Sequence, residues 1–212
     1  MILIGQYDSP FVRRTAIALR LYGFAYEHRP WSVWSDAEQL ATLNPLRRVP
    51  TLVLDDGEVL IESAAILDAL DQLAGPSRAL APVGGPSRRR TLYISALATG
   101  LADKAVSLFY ESLLHEAPSQ TWIDRCRAQI ADVLDVLERE RAASASVYWL
   151  GESIGHADVA VACALRFVSE AHARLFDAAR WPRLAAHADQ CEALAVFRET
   201  CQPLSVALRE HA

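Results

Sequence analysis

The stretch "TLVLDDGEVLIESAAILDAL", residues 51–70, decides the fold. Two apolar runs, Thr51–Leu54 and Glu58–Ile61, flank Asp55-Asp56-Gly57, and Asp-Gly between apolar runs signals a hairpin of antiparallel strands. Ser63 then opens a segment with Ile66, Leu70, Leu73 and Ala74 at helical spacing, and Gly75-Pro76 stops it. Ser63 itself reads as the N-cap of that helix. A hairpin feeding straight into a helix buries little alone, so partners must come from the preceding chain.

Those partners are legible. Ile2-Leu3-Ile4 is a β-prone run ending at Gly5, after which Ser9 and Pro10 carry the signals of a helix cap and first helical position. Val12, Ala16 and Leu19 recur at helical spacing until Gly23. An extended segment, Ala25–Arg29, precedes a weaker helical stretch from Ser35 to Leu43, which Asn44-Pro45 breaks. Residues 1–76 thus read β-α-β-α-β-β-α, a small mixed α/β sheet domain.

The composition then changes. Residues 77–86 lie in a stretch with three prolines and two adjacent glycines between Pro76 and Pro86, the texture of a linker. Residues 87–212 read as an all-helical domain: Ser87 to His115, Ser119 to Ala143 with Ile123, Cys126, Ile130, Val133 and Leu137 on one face, His156 to His172, then shorter helices. Pro182 opens one of these, with Leu184, His187, Ala188 and Cys191 sharing a face.

With 21 Lys+Arg against 26 Asp+Glu, the net charge of -5 offers no global field to gather nucleic acid or anionic lipid. No signal segment is expected, and the apolar run Ala157–Leu165 is too short to span a bilayer, so a cytoplasmic location is the expectation. Cys126, Cys163, Cys191 and Cys201 form no CxxC pair and have no histidine at ligand spacing. They read as buried, reduced thiols, with no metal site.

Several motifs bear on chemistry. Gly151-Glu152-Ser153-Ile154-Gly155 matches the G-x-S-x-G nucleophile elbow, but the central parallel strand and later strands that an elbow needs are missing. The same residues make a helix start, with Gly155 as N-cap, Asp158 facing the helix end, and Ile154 stapled on Val159. Arg88-Arg89-Arg90 reads as solvated, whereas Arg47-Arg48 lies directly before a strand and can reach a carboxylate along its edge. Val49-Pro50 opens that strand; were the bond cis, Val49 would present its backbone to an extended ligand. Glu62 and the helix start at Ser63 suit an ammonium and a carboxylate respectively, the two charges of an amino-acid end.

Taken together, "SPFVRRTAIAL", "NPLRRVPTLVLDDGEVLIESAAILDAL" and "GESIGHADVAVACAL" resemble the cytosolic glutathione S-transferase superfamily in order and spacing, in its serine-type, bacterial-like form. "WPRLAAHADQCEALAVFRE" is similar to the family's closing helices, with Ala195 where a proline is common and Gly155 where many members have Ser or Thr. The resemblance implies a thioredoxin-like N-terminal domain binding glutathione, an all-helical C-terminal domain supplying most of the pocket for an electrophile, and a homodimer. By position it implies that Ser9 is the catalytic hydroxyl, that Val49 pairs with the cysteinyl backbone before a cis Pro50, that Glu62 and Ser63 hold the γ-glutamyl end, and that Arg48 takes the glycyl carboxylate, with Arg47 adjacent. Trp34 and Tyr110 are the candidates for the second-substrate pocket. Glutathione enters as cosubstrate, with no further cofactor.

A thiol with pKa of about 8.5 needs roughly 2.7 kcal/mol of preferential thiolate stabilisation to fall by about two units. A hydrogen bond from Ser9 and the helix end at Pro10 would act on the same sulfur. The expected activity is therefore detoxifying transfer of glutathione to an electrophile. The alternatives are a glutathione-dependent isomerase, peroxidase or dehalogenase, or a non-catalytic, regulatory glutathione-binding protein of this fold. A disulfide-reductase role would need a cysteine near position 9, and there is none.

Overall fold

The computed structural model describes residues 1–204, and these divide into two compact units. One comprises Met1–Leu80 together with residues 195–204, the other Ala81–Leu194.

The first unit is built on strands β1 (Ile2–Ile4), β2 (Glu27–Arg29), β3 (Thr51–Val53) and β4 (Val59–Ile61), in the order β2-β1-β3-β4. β2 runs parallel to β1 and is reached through helix α1 (Pro10–Tyr22), while β3 and β4 are antiparallel. Short α2 (Ala37–Ala41) precedes β3, and α3 (Ser63–Ala74) follows β4. Each expected element is present. Ser9 caps α1 and Gly23 ends it in the left-handed region at φ 70°, where its N–H reaches Arg20 O.

Leu3 and Leu52 on the sheet meet Val12, Ala16 and Leu19 of α1 and Ile66 of α3 in one buried core. Each fully buried leucine contributes about 1.5–3 kcal/mol. The α3 stripe differs from its expectation at one position: Leu67 is buried, whereas Leu73 is 54% exposed in the last turn. The chain leaving α3 is fastened down by Tyr22 Oη donating to Asp71, and by Leu80 N–H donating to Asp71 Oδ1 at 2.8 Å. The five residues Pro76–Leu80 therefore fold with the first unit.

After Arg198 the chain carries no further helix among the described residues, and α8 (Ala195–Arg198) packs on α1. This closing segment, expected with the helical domain, groups instead with the sheet unit because its main chain is bonded to α1.

The second unit holds α4 (Gly85–Leu114), α5 (Gln120–Ala142), α6 (His156–Ala171) and α7 (Pro182–Glu192). α6 is buried on nearly every side from His156 to Val168. On α5 the inward residue is Leu134 rather than Val133. α4 is, among the described residues, the helix long and apolar enough by composition to cross a membrane, and its apolar side packs on α5 and α6. Cys126, Cys163 and Cys191 are buried and outside any disulfide, whereas Cys201, expected to be buried, is exposed because it lies in the closing segment outside any helix.

Candidate functional site

Strand register brings the first unit's candidate residues together. Ile4 pairs with Thr51, Thr51 pairs with Ile61, and Ile4 also pairs with Arg29. The four residues form one row across the sheet, and the segments beyond it leave at the same end. Those segments carry Ser9, Trp34, Arg48-Val49-Pro50 and Glu62-Ser63.

Gly5 binds two of these segments closely. At φ 126°, a Cβ built on it would lie 2.5 Å from Val12 Cγ2 and 2.8 Å from Val49 Cβ. Only a residue without a side chain lets the first turn of α1 and the Val49 loop close on the end of β1. Val49-Pro50 is cis. Its loop is held by buried Asn44, whose Nδ2 donates to Arg48 O at 2.8 Å and Thr51 Oγ1 at 3.1 Å, while its Oδ1 accepts from Leu46 N–H at 3.0 Å. Asn44-Pro45, a helix breaker by sequence, carries no local sign of this anchoring role.

Ser9 is half-buried, and its Oγ accepts the Val12 N–H at 3.4 Å. The Arg13 N–H goes to Ser9 O at 2.9 Å. Accepting through oxygen leaves the hydroxyl proton available for donation, beside the positive end of a 13-residue helix. Tyr7, the other hydroxyl before this helix, is otherwise occupied. Its Oη lies 2.8 Å from Tyr26 Oη, and its ring stacks on His28 at 3.9 Å. Burial, with the Tyr26 bond, raises Tyr7 above the ordinary phenol range, so it supplies no phenolate base.

Glu62, not Ser63, occupies the N-cap position of α3, and it does so at φ 65° with no side-chain cap bond. The left-handed turn carries the chain from β4 directly into the helix, making Ser63 the first helical residue, 6% exposed. A non-glycine residue in that region marks local strain, which clusters at functional sites. Arg48 Nη1 lies 3.4 Å from Glu62 Oε1, with both side chains about half exposed, whereas Arg47 Nη1 pairs with Glu38 Oε1 at 2.9 Å. The two arginines thus face different partners.

Tyr110 sits on α4 in the helical unit, packed edge-on to Phe109, and Trp34 is 36% exposed after β2. Ser153 of the G-x-S-x-G stretch is exposed in a bend beside the isolated Tyr148–Gly151 bridge, which belongs to no sheet among the described residues. Asp158, as expected of a capping residue, accepts Gly155 N–H at 2.9 Å, and it also accepts Trp149 N–H at 2.7 Å.

Residues 3–78 match the family model described as glutathione S-transferase, N-terminal domain, and residues 120–190 match glutathione S-transferase, C-terminal domain. The GST-like protein YibF of Escherichia coli K12 is 30% identical over 170 residues, 80% of this chain and 82% of its own. This chain belongs to the glutathione S-transferase superfamily. Mouse maleylacetoacetate isomerase is 28% identical over 202 residues, 93% of this chain and 90% of that one. A glutathione S-transferase from Methylobacterium radiotolerans, solved in complex with glutathione sulfonate, superposes with a TM-score of 0.88 at 26% identity over 98% of both chains. Membership places the chain among glutathione-dependent enzymes with a thioredoxin-like N-terminal domain.

Proposed function

We infer that the protein binds glutathione at the sheet end and activates its thiol through Ser9 for attack on a small electrophile. The observation that carries this reading is the row Ile4–Thr51–Ile61, because it gathers a helix-start hydroxyl, a backbone edge and an acid–base pair at one end of one small sheet. In this reading the Val49 backbone pairs with the cysteinyl residue. Glu62 takes the γ-glutamyl ammonium, and Ser63 at the α3 start takes its carboxylate. Arg48 then turns from Glu62 to the glycyl carboxylate. An exposed ion pair is worth at most about 1 kcal/mol, so the ligand opens it at small cost while giving each side chain a new counter-charge.

With sulfur against Ser9, the hydroxyl donates to the thiolate and the α1 terminus adds positive potential. The thiol proton leaves to solvent, and the thiolate attacks carbon, either expelling a leaving group with its bonding pair or adding to an activated double bond whose displaced pair then takes a proton from solvent. Titration of the thiolate absorbance of bound glutathione tests this: the pKa should lie about 1–2 units below that of free thiol, and substitution of Ser9 by alanine should return it. An unchanged pKa in that variant would sink the assignment.

A second reading, isomerisation, is favoured by the likeness to mouse maleylacetoacetate isomerase along 93% of this chain. There the thiolate adds and is expelled again. Stoichiometric loss of glutathione during turnover supports transfer, and turnover without loss supports isomerisation. Trp34 and Tyr110 are proposed for the electrophile, with alanine at either changing the KM for that substrate and not for glutathione. A cytoplasmic homodimer is proposed too; exposed Leu73 in one unit, and Leu92 and Tyr93 in the other, supply apolar surface for association, and sedimentation gives the mass.

A further inference from the structure

The closing segment, residues 195–204, does more than follow the helical unit. It returns to the sheet unit and grips the residues on both sides of Ser9. On the near side, Tyr7 N–H donates to Gln202 Oε1 at 3.0 Å, a contact across 195 positions. On the far side, the Arg13 guanidinium is buried and donates through Nη2 to Phe197 O at 2.9 Å and through Nε to Thr200 O at 3.2 Å. Arg13 is also the residue whose N–H closes the first turn on Ser9 O.

A further chain of contacts closes a ring. Glu199 pairs with Arg20, the Arg20 guanidinium lies 5.9 Å from the Tyr26 ring centroid, and Tyr26 Oη meets Tyr7 Oη at 2.8 Å. The Tyr7 ring is stacked on His28, whose Nε2 is 2.8 Å from Gly5 O. Backbone and side chain of Tyr7 are thus both referred to the closing segment. Within the loop Gly5–Ser9, Gly5 N–H donates to Arg29 O at 2.9 Å and Ser9 N–H donates to Gln6 O at 3.2 Å, while the Tyr7 N–H in the middle of that turn is the amide given to the closing segment, so its bond to Gln202 adds the outer anchor of this turn.

We propose that Gln202 is a positioning residue: by accepting the Tyr7 N–H it fixes the Tyr7-Asp8-Ser9 backbone, and with it the direction of the Ser9 hydroxyl. The inference rests on the reading of Ser9 given above. A hydroxyl that must meet a sulfur atom loses its effect when displaced by a few tenths of an ångström to one ångström, because hydrogen bonds weaken steeply with geometry.

The test compares Gln202→Ala, Gln202→Glu and Ser9→Ala in the full chain. Gln202→Glu keeps an acceptor for the Tyr7 N–H. Expected for Gln202→Ala are faster amide hydrogen exchange at Tyr7, a rise of about half a unit in the pKa of bound glutathione, and a roughly three- to fivefold fall in kcat with the glutathione Kd within about twofold of wild type. Gln202→Glu should restore all three toward wild type. A thiol pKa and kcat unchanged in Gln202→Ala, with Ser9→Ala still raising the pKa, overturns the positioning role alone. An unchanged pKa in Ser9→Ala overturns the Ser9 reading and the positioning role with it. Equal loss in both Gln202 variants, or loss tracking a lowered Tm, assigns Gln202 to stability and also overturns the proposal.

Discussion

Ser9 and Ser153 each lie close to a helix start, and their surroundings differ in where polar capacity goes. At the α6 start, both Asp158 oxygens are taken by backbone N–H groups, His187 Nε2 stands 3.6 Å from Oδ1, and Ser153 points out from an exposed bend. At the sheet end, Ser9 keeps a donor proton, and Glu62 and Arg48 hold each other across 3.4 Å while half exposed. The first arrangement is closed and holds the chain together. The second has unspent bonding capacity facing solvent, and a ligand needs that capacity.

The sharpest way to break this contrast is Asp158→Ala. It leaves two N–H groups without their acceptor at a residue 2% exposed, and should cost about 3–5 kcal/mol of unfolding free energy in a denaturant titration. Glutathione affinity of the folded fraction should be little changed. A loss below about 1 kcal/mol would remove the structural half of the comparison.

Next in size is Ser9→Ala against Ser153→Ala. The first should lower kcat/KM roughly 100-fold, equivalent to about 2.7 kcal/mol of transition-state stabilisation, while leaving stability within about 1 kcal/mol. Ser153→Ala should leave steady-state kinetics unaltered. Comparable losses in both would restore the hydrolase-like elbow to consideration.

Proton linkage sharpens the closed side. Burial first, then the nearby Arg141 charge, lower His187 to about 4. The folded protein therefore binds fewer protons than the unfolded chain between about pH 6.5 and 4, and stability is lost as pH falls through that window. Asp158, pushed up by its own burial, acts in the opposite sense, and Cys191 Sγ also faces the ring at 3.7 Å. Comparing wild type with His187→Gln at each pH isolates the histidine. Wild type should lose about 2 kcal/mol relative to the variant on going from pH 7 to 5. Parallel curves would show that His187 does not titrate differently on unfolding.

Smaller than these is the effect expected of Glu62→Gln, which keeps size and removes charge. The KM for glutathione should rise about tenfold, with kcat altered less than twofold, because the lost bond is charge-assisted and made equally in ground and transition states.

Much of the sheet unit was legible from local chemistry. Ser9-Pro10 and Gly23 bound α1, Asp55-Asp56-Gly57 joins β3 to β4, and Gly75 ends α3 because each residue type has one preferred backbone role. The candidate residues were named from a pattern of motifs, and strand register accounts for their convergence. What stayed hidden is long-range or conformational. Nothing adjacent to Gln202 announces a partner at Tyr7, and nothing near Arg13 announces Phe197. Gly5 reads as the end of a strand, and only the closeness of Val12 and Val49 reveals its second task. The exposed Cys201 and Leu73 show the limit of apolar pattern, which ranks residues by type and not by what the fold leaves uncovered.

The left-handed backbone of Glu62 implies an exchange between durability and use. Glycine would adopt φ 65° without steric penalty, so Glu62→Gly should relax the turn between β4 and α3 while deleting the carboxylate that faces Arg48. The chain sits below its own attainable stability at this one corner, and the shortfall is what keeps an acidic side chain at the mouth of the sheet.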